Sequence, residues 1–126
     1  MVDFFRAGGF GMWFVLLFGG IDLAAAVIFA ARPEKRRLGA IVAVGVATLL
    51  STGNAIVTDL ATVCSKVPTN PEWANSPRIH LVIMQGIAES LTPAVLGLSL
   101  LTLVALTVAV GYRRLSAAAA TTPATA

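Results

Sequence analysis

Three long apolar stretches dominate this sequence, and they decide what it can fold into. Backbone N–H and C=O groups find no water in hydrocarbon, so a stretch that crosses a bilayer must satisfy them internally, as a helix or a closed barrel. Each stretch here is far longer than a barrel strand. The first runs from about Phe10 to Ala31, the second from about Leu38 to Val63, the third from about His80 to Tyr112. The reading is an all-α integral membrane protein with three transmembrane helices. Composition agrees, since 57% of the 126 residues are hydrophobic and only 12% are charged. A soluble domain of this size carries more polar surface.

The first stretch is too long for a signal-peptide core, and its basic cluster follows rather than precedes it, so it reads as a retained span. A short amphipathic lead (Phe4, Phe5, Arg6) and Gly8-Gly9 come before it, and Trp13 suits the interfacial belt. Pro68, Pro71 and Pro77 break residues 64–79 into a loop. Leu115–Ala126 is an Ala/Thr tail of low complexity, expected to be disordered. Span three exceeds the bilayer thickness, so it should tilt, kink or protrude.

Charge sets the expected orientation. Arg32, Lys35, Arg36 and Arg37 lie between spans one and two, and Arg113 and Arg114 end span three, six on one side. Arg6, Lys66 and Arg78 make three on the other. The positive-inside rule then puts the N-terminus outside and the C-terminus in the cytoplasm. The net charge of +3 is explained by this topology and needs no nucleic acid.

The chain has one cysteine, Cys64, and one histidine, His80. They provide no metal-ligand spacing and no nucleophile–base pair, and no glycine-rich phosphate loop is present, so no enzyme, metal site or cofactor is expected. Cys64 reads as a small residue near a helix end, with an intermolecular disulfide as the alternative. His80 reads as interfacial.

The informative residues are the polar ones inside the spans. A charged side chain at mid-bilayer costs about 2.5–3.5 kcal/mol on insertion scales, so each needs a partner or a wet path. The acids are Asp22, near mid-bilayer, Asp59, toward the outer end of span two, and Glu89, in the outer half of span three; no Lys or Arg lies at a matching depth. Gln85, Glu89, Thr92 and Ser99 share one helical face, and Thr48, Thr52, Asp59 and Thr62 share another. Pro93 should kink span three and leave the Glu89 carbonyl without its helical donor. Two polar stripes suggest a shared seam between helices, with Thr52, Glu89 and Thr92 as an ion pathway. Hydroxyls alone more often bond their own backbone. Glu89 reads as functional, Asp59 equally as a solvated cap, and Asp22 as a structural contact to hydroxyls of a neighbouring subunit.

The string Gly86-Ile87-Ala88-Glu89-Ser90-Leu91, followed by Gly97-Leu98, resembles the last core helix of the MotA/TolQ/ExbB proton-channel family. Leu49-Leu50-Ser51-Thr52 with Ile56-Val57 falls where that family has its span-two segment, and Gly8-Gly9 before Met12-Trp13 is similar to its opening. The family's large cytoplasmic insertion is absent here, and Ser51 and Ala55 replace two of its glycines. The resemblance implies a homo-oligomeric ring, usually a pentamer, in the bacterial inner membrane. It would surround the acid-bearing helix of a single-span partner like ExbD, TolR or MotB. Proton flow through the ring would energise transport or motility. A non-conducting accessory subunit of a larger complex is the second reading.

Overall fold

The computed structural model describes residues 10–121. The lead at Phe4–Gly9 and the last residues, 122–126, lie outside them. Five helices occur among the described residues: α1 (Gly11–Ala31), α2 (Lys35–Thr69), α3 (Pro71–Ala74), α4 (Ile79–Ser90) and α5 (Thr92–Thr121). Three segments are long and apolar enough to cross a membrane: α1 with 21 residues, α2 with 35, and α4 with α5 together with 43.

Local chemistry sets the ends. Arg32 precedes Pro33, whose ring disfavours helical backbone one residue back. Arg32 accordingly leaves the helix at φ −132°, ψ 87° and ends α1. Glu34 is extended and precedes α2, and its carboxylate pairs with Arg37 at 3.0 Å. Asn70 caps α3 by accepting from the Glu72 N–H at 3.0 Å, with Pro71 at the first helical position, where its missing N–H costs nothing.

The helices pack as a trio built on small residues, with α1 and α5 parallel and α2 antiparallel to both. The buried residues of α1 are Met12, Val15, Gly19, Asp22, Ala26 and Phe29, at alternating spacings of three and four. That is the seam of a helix wrapped by neighbours on one narrow face. Without a hydrophobic drive inside lipid, close backbone approach holds helices together, and small residues permit it. Gly11 lies against Ala55, Gly19 against Leu100, Gly97 against Thr52, and Gly111 against Phe29. Ala26, Phe29, Ile41 and Val104 form an apolar cluster toward the α1–α2 turn. At that same end Arg114 donates to the Ala30 carbonyl at 3.1 Å, bringing the basic turn and the basic end of α5 together.

The spans differ from the sequence boundaries in two ways. Helix α2 starts at Lys35 and runs on to Thr69, through residues expected to form a loop. Pro68 lies in its last turn. Since Gly11 meets Ala55, the rest of α2 projects about 20 Å beyond the start of α1, and α4 packs beside this projection, with Gly86 against Val63. The expected disorder from Leu115 also gives way to helix as far as Thr121, in keeping with the strong helix propensity of alanine.

Candidate functional site

Span three is divided at Leu91, where α4 ends and α5 begins. Pro93 has no N–H to offer Glu89, and the chain turns with tighter bonds, Leu91 N–H to Ala88 O at 3.3 Å and Ala94 N–H to Leu91 O at 3.0 Å. The Pro93 ring is fully buried. Glu89 therefore stands next to a break, on the outside of the bundle.

Glu89 is exposed, and one of its carboxylate oxygens accepts from the Gln85 side-chain amide at 3.1 Å. Both residues line a groove between α2 and α4 with Thr62, Val63, Lys66 and Trp73. The continuation of α2 corrects the expectation that no basic residue shares the depth of Glu89: Lys66 sits on a helix and lines the same groove. The two charges do not pair, since the described residues contain one ion pair, between Arg37 and Glu34.

The hydroxyls behave differently from the acids. Thr48 and Thr52 are buried, and each donates to the carbonyl four residues back, Val44 at 3.0 Å and Thr48 at 2.8 Å. Thr62 and Ser99 are exposed and do the same, to Thr58 at 2.8 Å and Val95 at 2.6 Å. Thr92 is half-buried. The expected stripe of span three, Gln85, Glu89, Thr92 and Ser99, thus lies largely on the bundle's exterior. The seam of α2 lies inside, with Thr52 packed on Gly97. Thr52 and Glu89 do not line one common groove.

Asp22 departs most from expectation. It is 0% exposed, and neither carboxylate oxygen has a hydrogen-bond partner. It points into its own bundle, not toward a neighbouring copy, because position 22 falls on the α1 seam. The space it occupies exists because residue 45 is glycine: a methyl there would stand 3.1 Å from Asp22 Oδ2 and 3.9 Å from Leu101 Cδ2. Asp59 is half-buried, with Oδ2 enclosed and unpartnered, in a groove at the start of α1 with Gly11, Asn54 and Thr58. No cluster of three or more His, Cys, Asp or Glu able to hold a metal ion occurs among the described residues. Gly45 and Lys66 are the site residues that sequence reasoning passed over. The alternating spacing of α1 could have pointed to an inward Asp22, but the partner position across the interface needs the helix register.

No protein-family model, characterised protein or solved structure matches the chain.

Proposed function

We propose that this chain is a subunit of an oligomeric membrane ring that conducts protons, of the kind the MotA/TolQ/ExbB family builds. It works with a single-span partner that brings an acidic residue. The carrying observation is Glu89: an acid on the exterior of an apolar bundle, beside a helix break, with only the Gln85 amide as partner. A carboxylate there, in an open groove that also holds Gln85 and Lys66, calls for a further polar group across the groove to complete a proton path. A ring of copies, or a partner helix, supplies it. The exposed apolar faces of all three spans are compatible with contact to lipid on one side and to copies on the other. In this reading Glu89 and Thr92 face the ring interior and Thr52 supports them from the seam. The subunit sits in a bacterial cytoplasmic membrane with its arginine-rich end inside.

Proton flux into liposomes carrying the ring and its partner tests the reading. Glu89→Gln should cut flux about tenfold or more, a barrier rise of about 1.4 kcal/mol. Flux equal to wild type in Glu89→Gln and Thr52→Val would retire it.

A second reading has its own support. The buried hydroxyls of Thr48 and Thr52 are tied to their own helix, which is what packing alone requires. A non-conducting accessory subunit would then be purified as a monomer or an asymmetric complex, with no closed ring.

A further inference from the structure

We propose that Asp22 is a proton-binding site inside the single subunit, loaded along the α2 seam from the end of the bundle away from the arginines. The inference does not rest on conduction by a ring.

Other buried polar side chains of the described core are satisfied: Thr48, Thr52 and Ser90 each donate to a carbonyl of their own helix. Asp22 has neither a donor nor solvent. An ionised carboxylate in such surroundings is far costlier than the neutral acid. No counter-ion faces it: across the interface stand Gly45 from α2 and Leu101 from α5. The nearest charged residues along the elements packed there are Arg32 just past the end of α1, Arg37 and Asp59 on α2, and Arg113 on α5, each more than two helical turns away. The group that satisfies this carboxyl is therefore a proton.

The surroundings of Asp22 are asymmetric. Toward the arginine end the bundle is sealed by Ala26, Phe29, Ile41 and Val104. In the other direction the buried face of α2 carries Thr48, Thr52 and then Ala55, which packs on Gly11, before the half-buried Asp59, whose enclosed Oδ2 borders the groove beside Gly11. Measured from Gly45, the axial steps are about 4.5 Å to Thr48, 6 Å on to Thr52 and 10 Å on to Asp59. Each threonine oxygen gives its proton to a backbone carbonyl and keeps lone pairs free to accept another. Rotation of the hydroxyls, with a short chain of waters from the groove beside Asp59 crossing the longest step, passes a proton from Asp59 to an ionised Asp22, and Asp59 regains its proton from water in that groove. The route ends at Asp22, so it fills and empties from one side only.

Infrared spectroscopy of the reconstituted protein reads this directly. A protonated carboxyl has a carbonyl band distinct from a carboxylate, and that band shifts when its proton is exchanged for deuterium. Wild type should show the band and Asp22→Asn should lose it. On transfer to deuterium oxide, Thr48→Val and Asp59→Asn should keep the band and slow its shift about tenfold. A spectrum unchanged by Asp22→Asn overturns the site, and equal exchange rates in all variants overturn the route. Should Asp22→Asn fail to fold, a hydrophobic carbodiimide, which reacts with protonated buried carboxyls, decides on wild type. An adduct on the peptide containing Asp22 supports the site, and labelling of Asp59 with Asp22 untouched overturns it. None of these readouts depends on flux, so failure of the ring reading leaves them standing.

Discussion

A buried carboxyl with no partner and a buried glycine with no room are complementary features of this bundle, and single substitutions separate their roles. Asp22 and leucine share the same heavy-atom connectivity, so Asp22→Leu swaps two unsatisfied oxygens for two slightly bulkier methyl carbons. Replacing a buried polar group by an apolar one of similar shape is often neutral or stabilising. Asp22→Leu should therefore leave stability in mixed micelles unchanged or raise it by about 1 kcal/mol. A loss of several kcal/mol would mean that the carboxyl holds the bundle together. Gly97 is the opposite case. A methyl there would come 2.8 Å from Thr52 Cγ2, and Thr52 is fixed by its bond to the Thr48 carbonyl. Gly97→Ala should cost about 1–3 kcal/mol by overpacking. Gly53 has nothing within 4 Å of such a methyl, so Gly53→Ala should be neutral or stabilising by up to about 1 kcal/mol. Denaturant titration of the two variants side by side checks the contrast, and equal effects would contradict the packing described here.

At the scale of helices, the division of span three at Leu91 depends on Pro93. Pro93→Ala gives the Glu89 carbonyl back its donor and should join α4 and α5. Amide exchange at residues 91–95 should then slow by about tenfold, and unchanged exchange would place the cause of the break elsewhere. The three apolar segments, their helical nature and the special position of Pro93 were all legible in the sequence, because bilayer hydrogen bonding and the proline ring act locally. The facing of the helices was not. Gln85, Glu89 and Ser99 share a helical face whether that face is covered or open, and periodicity alone carries no sign for inside or outside. The full length of α2 was hidden for a similar reason: Ser65, Lys66 and Thr69 read as loop residues but are tolerated in a helix once α4 packs alongside. The inward facing of Asp22 was the most decipherable of these, since Met12, Val15, Gly19, Ala26 and Phe29 mark the seam on which it falls.

For the molecule as a whole, the strongest constraint is that six of its nine Lys and Arg residues gather at one end. The turn carrying Arg32, Lys35, Arg36 and Arg37 lies beside Arg113 and Arg114, and the Arg114 contact to the Ala30 carbonyl joins the two groups. Moving such a cluster across the bilayer is disfavoured, so this end should remain cytoplasmic. The lone cysteine provides the probe. Cys64 is exposed and lies on the projecting part of α2, at the far end from the arginines. A maleimide that cannot cross membranes should label Cys64 from outside on intact cells that express the chain. Ser116→Cys, made in a Cys64→Ser background, puts the thiol beyond Arg114 and should label only after the membrane is opened. The opposite pattern would invert the orientation, and with it the side from which Asp59, Lys66 and Glu89 meet water. Replacing Arg36 and Arg37 by glutamine should weaken the bias and give both labelling patterns in one preparation, because orientation follows the count of positive charges flanking the spans and not any single contact.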